Sequence, residues 1–226
     1  MLSISADKID SLFESIASSY NLYLPVDNES GKAEFEQWEK GKKLSSALKT
    51  VRSAKDFFFP KVENLVNYKR EGKSITVVDP RKDLGDFVVF GVRGCDAASF
   101  AIIDDVYLKM DPVDSYYKNR RDHGTVVTLA CTDPAQTCFC STYNIDATNP
   151  KGDVTSWLAD GKYFFQANTD KGNALIEKIK GLLSESDDKA VEVQKKEVSE
   201  KIEKLPFAHL DLSKFQGKDM LKIFNS

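Results

Sequence analysis

The clearest feature of the hydrophobic pattern is a pair of short, unbroken apolar runs, Phe87 to Val92 and Thr125 to Ala130. Both are rich in β-branched residues, which predicts strands buried on both faces of a parallel sheet. Between them, Phe100, Ile103, Val106 and Tyr107 recur at helical spacing over Asp96 to Leu108, with Asp96 placed to cap the helix. The unit reads strand, helix, connection, strand, and such units lay their two strands parallel and commonly side by side.

The rest of the chain extends this pattern. Ser5 to Tyr20 predicts a helix with Ile9, Leu12, Phe13, Ile16 and Tyr20 on one face. Leu22 to Leu24 predicts a short strand stopped at Pro25, and Asp27 to Lys32 a polar turn. Ala33 to Ala47 reads as a charged helix contributing Phe35, Trp38 and Leu44. Phe57-Phe58-Phe59-Pro60 reads as an aromatic plug, and Ser74 to Val78 as a strand. Asp111 to Arg121 is a polar helix or loop that reads by default as a solvated crossover segment, with a docking face of Tyr116, Tyr117, Arg120 and Arg121 for an acidic partner or a nucleotide as the alternative. Ser141 to Gly152 reads as a loop, Thr155 to Ala159 as a short apolar element and Tyr163 to Ala167 as a strand. A turn at Lys171-Gly172-Asn173 then leads into a helix carrying Leu175, Ile176, Ile179, Leu182 and Leu183.

The expected fold is therefore α/β, a mostly parallel sheet flanked by helices, formed by residues 1–183. Beyond a polar break at Ser184 to Asp188 the composition shifts. Lys189 to Lys204 is a charged helix with a narrow stripe of Val191, Val193, Val198 and Ile202, and residues 184–226 read as a charged C-terminal helical arm and tail.

At 226 residues and a net charge of −3 with 30% charged residues, the chain can bury a sizeable core but lacks the basic field that attracts nucleic acid. A protein partner is expected instead. No apolar run approaches a membrane span. Met1 to Tyr20 carries Asp7, Lys8, Asp10 and Glu14 in place of an apolar signal core, so a reducing cytoplasmic setting is expected.

The candidate chemistry lies in the four cysteines. Cys95 follows the first buried run, Cys131 follows the second, and Cys138 and Cys140 come just beyond it after the turn at Asp133-Pro134. Parallel neighbours would bring Cys95 and Cys131 to one carboxyl edge, where α/β sheets build their sites, with Cys138 and Cys140 folding back over it. The spacing is compatible with a [4Fe-4S] cluster on four thiolates, with a four-cysteine zinc site, or with packed or reactive thiols. Gly91 and Gly94 let the backbone bend closely around the site. Arg93 would offset thiolate charge there or else pair with Asp96. A thiol enzyme using Cys95 would need an activator, and the histidines are His123 and His209.

Phe57-Phe58-Phe59-Pro60, Phe90-Gly91-Val92-Arg93-Gly94-Cys95-Asp96, Tyr116-Tyr117 with Arg120-Arg121, Cys131-Thr132-Asp133-Pro134 and Thr137-Cys138-Phe139-Cys140-Ser141 occur in an order that resembles one family. It is the iron-sulfur β subunit of cytosolic sulfhydrogenase-type nickel-iron hydrogenases, a family shared with the A subunit of anaerobic sulfite reductase. The resemblance covers roughly residues 50 to 165 and favours iron-sulfur over zinc. It implies an electron-transfer role, with a flavin- and NAD(P)-binding subunit on one side and a hydrogenase or reductase subunit on the other, in the cytoplasm of an anaerobic microbe. Members of that family continue into a ferredoxin-like region with C-x2-C-x2-C-x3-C-P runs. No cysteine follows Cys140 here, and the tail with Leu210, Leu212, Phe215, Met220, Leu221 and Phe224 would correspond to the connection into that region.

Overall fold

The computed structural model describes residues 1–211 and 213. In chain order its strands are β1 (Leu2–Ser5), β2 (Asn21–Asp27), β3 (Ala33–Gln37), β4 (Asn67–Glu71), β5 (Ser74–Val78), β6 (Phe87–Val92), β7 (Gly124–Leu129), β8 (Val154–Ala159), β9 (Lys162–Ala167) and β10 (Ser184–Glu185). The α-helices are α1 (Ile9–Ala17), α2 (Gly94–Tyr107), α3 (Ser115–His123), α4 (Asp170–Ile179) and α5 (Lys189–Glu203). Eight strands form one sheet in the order β10-β1-β9-β8-β7-β6-β2-β3, while β4 and β5 form a separate hairpin. The sheet is parallel through its centre, β8-β7-β6-β2, and antiparallel at both margins.

The expected α/β architecture is observed, and the two apolar runs are adjacent parallel strands. Their side chains alternate between two cores. Val88, Phe90, Val127 and Leu129 pack with Leu12, Phe13 and Ile16 of α1 and Leu175, Ile176 and Ile179 of α4. Phe87, Val89 and Val126 pack on the other face with Phe58, Phe100 of α2 and Tyr117 of α3. The aromatic plug is real but uneven: Phe58 is fully buried and meets Phe87 and Phe100 with ring centroids 5.3 and 4.8 Å apart, whereas Phe59 lies against Tyr107 and is partly exposed.

One backbone irregularity positions the site. Gly91 has φ +83°, and the β6–β7 register slips between Phe90 and Val92. Without a bulge, Phe90 and Val92 would point to the same face. Instead Phe90 faces α1 and Val92 faces α2. A Cβ on residue 91 would meet Pro25 Cδ at 3.1 Å, so the position needs both the conformation and the missing side chain of glycine.

Several sequence expectations are corrected. The region Ala33 to Ala47 is not a helix: it is the edge strand β3 followed by irregular chain. Ala33 is buried and Glu34 and Glu36 are less so, and antiparallel pairing with β2 overrode the weak helical pattern. Pro25 does not stop β2, which runs on to Asp27. The β2–β6 ladder ends at Tyr23, and the Pro25 carbonyl accepts from the Ser45 N–H on that same side, so the missing donor interrupts no ladder. The first helix starts late because Leu2–Ser5 is a strand between β9 and β10. Gly172 lies inside α4 rather than in a preceding turn, since Thr169 caps the helix by accepting from the Gly172 N–H. Helix α5 lies on the body of the protein, with Val191 packed on Trp157 and Phe164. Ile202 is half-buried and Val193 exposed. Of the tail, Leu212, Phe215, Met220, Leu221 and Phe224 lie outside the described residues.

Candidate metal centre

Strands β6 and β7 both end at the carboxyl edge of the sheet, and each hands the chain to a cysteine. Helix α2 begins at Gly94, so Cys95 occupies its first turn and Arg93 the capping position, without a side-chain cap. Asp96 is therefore not the cap expected from the sequence. Its carboxylate accepts instead from Ser53 Oγ at 2.9 Å and Lys55 Nζ at 3.3 Å, tying the loop before the Phe58 plug to the start of α2. The first-turn N–H groups of a helix lack intrahelical partners and carry partial positive charge, which draws the Cys95 thiol down, but burial and the Asp96 carboxylate outweigh them. Gly94 is buried, and an added Cβ would sit 3.0 Å from Pro150 Cβ.

Cys131 is buried, with its N–H bonded to the Ala147 carbonyl at 2.9 Å. Ala147 is held by a turn in which Asp146 Oδ1 accepts from the N–H and hydroxyl of Thr148 and from the Asn149 N–H. Cys138 and Cys140 are half-buried on a loop whose turns close through Cys138 N–H to Ala135 O and Ile145 N–H to Cys140 O. Val198 of α5 is buried with Cys131 and Ala147, and Leu48, Cys140 and Ile202 complete that cluster. Lys201 Nζ reaches Asp133 Oδ1 at 2.9 Å, and Lys49 Nζ reaches Thr137 Oγ1 at 2.9 Å, so the cysteine loop is pinned from both sides.

The four thiols sense one another. Burial, then the charges of Cys140, Cys95 and Cys138, push Cys131 up to about 11, against a lowering influence of Arg93. Burial followed by Cys95 and Cys138 likewise pushes Cys140 up to about 11. Solvent reaches Cys95, yet the protein crowding one side of it and the Asp96 carboxylate raise it too. Burial thus favours the thiol form of Cys131, Cys140 and Cys95 over the thiolate, and a cationic centre beside them reverses that balance. Among the described residues no three His, Cys, Asp or Glu side chains are gathered closely enough to hold a metal ion between them. Four thiols are a donor set of the kind that ligates either zinc or an iron-sulfur cluster.

Arg93 does not pair with Asp96. Its guanidinium donates to the Ala47 and Ala130 carbonyls at 3.1 and 3.4 Å, which holds the charge beside Cys131. His123 precedes β7 while Cys95 follows β6, so the two lie at opposite ends of adjacent parallel strands, and His123 bonds Asp86 at 2.6 Å. It cannot activate Cys95. Arg120 and Arg121 are both engaged within the protein. Arg120 pairs with Glu63 at 2.7 Å, and Arg121 makes a two-pronged contact with Asp104 beneath the rings of Phe58 and Phe100.

Sequence reasoning missed the residues that roof the site: Leu48, Asp146, Ala147 and Lys201. The Asp-x-Thr-Asn sequence at 146–149 does carry a turn signal, and the Val191, Val198 and Ile202 stripe marked the side of α5 that turns inward, but neither names its target.

The molecule is thus an α/β domain with four grouped thiols at the carboxyl edge of its central strands. Comparison with known proteins gives a partial likeness. No family model and no solved structure matches the chain. A stretch of 98 residues is 35% identical to sulfhydrogenase 2 subunit beta of Pyrococcus furiosus, covering 43% of this chain and 27% of that protein. The matched stretch spans about a quarter of that relative, whose name describes a hydrogenase component, part of an oxidoreductase. Among the described residues no helix is long and apolar enough to cross a membrane.

Proposed function

We propose that this chain is an electron-transfer module that carries one [4Fe-4S] cluster on Cys95, Cys131, Cys138 and Cys140. Supporting this reading, Cys95 and Cys131 follow two adjacent parallel strands to one edge of the sheet, Cys140 packs in the cluster of Cys131, and Arg93 is held beside Cys131. When bound, such a cluster accepts and passes single electrons, with a potential set by net charge, hydrogen bonds and exposure. The residues of this chain supply the conditions. Burial of Cys131 under Val198 excludes water from one side, and the Arg93 charge raises the potential relative to a neutral neighbour. The exposed Cys95 and the neighbouring pair Phe139 and Tyr143, also exposed, leave the other side open to a partner. Cluster binding gives each thiolate its own iron, whereas zinc draws four sulfurs to within about 2.3 Å of one point.

By its likeness to a hydrogenase component, the partners in this reading are a flavin- and NAD(P)-binding subunit and a hydrogenase or sulfite reductase subunit, in the cytoplasm of an anaerobic microbe. Iron, acid-labile sulfide and zinc measured on protein purified without oxygen test the centre. About four irons and four sulfides per chain are expected, with cluster lost in Cys138→Ser and in Cys140→Ser. About one zinc without sulfide replaces this reading with a structural zinc domain.

A further inference from the structure

Helix α5 is fifteen residues long, yet only Val191 and Val198 of it are buried, against Leu12, Phe13 and Ile16 in the nine residues of α1 and Gly172, Leu175, Ile176 and Ile179 in the ten of α4. The two valines stand on one face two turns apart, about 10 Å along the axis, and they serve different clusters. Val191 packs with Trp157 and Phe164, whereas Val198 packs with Cys131 and Ala147. Between them Gln194 donates from Nε2 to the Leu158 carbonyl, while its Oε1 is buried without a hydrogen-bond partner among the described residues. A buried acceptor left unmet opposes docking, so α5 is seated more weakly than its length suggests.

The ends of the helix are held lightly. Ahead of it, Ser186 is fixed by its N–H on the Met1 carbonyl and by its hydroxyl on that of Ser3, and the next two residues, Asp187 and Asp188, are exposed. Toward and beyond its far end, the polar contacts with the cysteine loop are exposed ones: Lys201 Nζ reaches Asp133 Oδ1 at 2.9 Å, and Thr142 Oγ1 donates to the Phe207 carbonyl at 2.9 Å. Exposed ion pairs contribute little. Few buried apolar contacts joined to exposed polar bonds mark a segment that opens on its own before the protein unfolds.

We infer that α5 is a lid that opens as one unit about residues 187–188 and gates access to Cys131. With the lid seated Cys131 is 8% exposed, and it is the one buried thiol of the four. A metal meets Cys95, Cys138 and Cys140 from solvent, whereas the bond to Cys131, in which the sulfur takes the metal and releases its proton to water, waits for the lid. The valine that seats the distant end of the helix therefore controls the thiol without touching it. The lid covers Cys131 whichever metal the cysteines take, so its failure and the failure of the iron-sulfur reading are separate results.

On the full chain purified without oxygen, hydrogen–deuterium exchange should find the amides of residues 191–203 exchanging together and faster than those of α4 and β7. Val191→Ala should speed that exchange about tenfold along the whole helix, including residues 198–203. With metal removed and thiols reduced, iodoacetamide should label Cys131 more slowly than Cys95 in the wild type. Val191→Ala should raise labelling of Cys131 about tenfold and leave Cys95 unchanged. Ile176→Val, in the core beneath α1 and α4, controls for general loosening and should change neither. Val191→Thr, close in volume, should give a smaller rise in the same direction and takes the place of Val191→Ala if that variant does not fold. An effect on Cys131 no larger than that of Ile176→Val, exchange at residues 198–203 that ignores Val191, or equal labelling of Cys131 and Cys95 in the wild type overturns the lid.

Discussion

Strands β6 and β7 contribute twelve residues, all buried, whereas β4 and β5 contribute ten, of which eight are exposed and two half-buried. Ile-Thr-Val-Val in β5 and Thr-Val-Val-Thr in β7 are close in composition, so residue type does not decide which pair is buried. Position does. Strand β7 lies between β6 and β8 with helices over both faces, while among the described residues β5 pairs with β4 alone and stays exposed. Buried strands specify where a site sits, because a slip in register moves a whole core; an exposed pair leaves register to be fixed by whatever it meets.

That contrast breaks most sharply at Phe58, the ring that backs β6 and β7. Phe58→Ala should cost about 4 kcal/mol in urea unfolding. The next effect is at Asp104, which accepts from Arg121 at 2.9 Å and from the Tyr117 hydroxyl at 2.6 Å. Asp104→Asn should cost about 2 kcal/mol at neutral pH. Burial alone would raise Asp104, but the Arg121 and Tyr117 hydrogen bonds outweigh it and hold the carboxyl below its ordinary range. A lowered folded-state pKa contributes stability above the unfolded value near 3.9, and that contribution fades as pH falls through the folded value. The gap between wild type and Asp104→Asn should accordingly narrow as pH falls below the unfolded value. Gly91→Ala should cost about 1 to 3 kcal/mol, since residue 91 holds a positive φ beside Pro25. Smallest of all, Val77→Thr on the exposed hairpin should stay within about 0.5 kcal/mol; a larger loss in thermal melts would mean that β5 has cover of its own.

The legible parts of the sequence follow the same contrast. Phe87 to Val92 and Thr125 to Ala130 could be read because an unbroken apolar run has few other homes, and their parallel pairing placed Cys95 and Cys131 at one edge. The margins could not be read as well. Leu2–Ser5 is too short to show a period, and Glu34 and Glu36 on β3 reflect the solvent beside an edge strand, which a charged helix would also show. Ser74 to Val78 was recognisable as a strand, but its separation from the main sheet depends on contacts far along the chain. Around the cysteines, the ligand candidates stood out by residue type, whereas their surroundings did not. Leu48, Ala147 and Val198 are ordinary apolar residues from three distant segments, brought together by the fold. The charge partners of Arg120 and Arg121 were hidden for the same reason, since Glu63 and Asp104 reach them only after the strands are in place.

The bulge at Gly91 works like a frame shift written in backbone. Upstream of it, β6 keeps step with the core; downstream, the chain resumes in the opposite phase and enters α2 with Cys95 one residue later than an uninterrupted strand would allow. The phase is set by one dihedral and not by side-chain volume, so conservative exchanges among Val88, Val89 and Phe90 leave the cysteine in place. Deleting Gly91 would keep every side chain of the site in the sequence and rotate Arg93 and Cys95 away from Cys131.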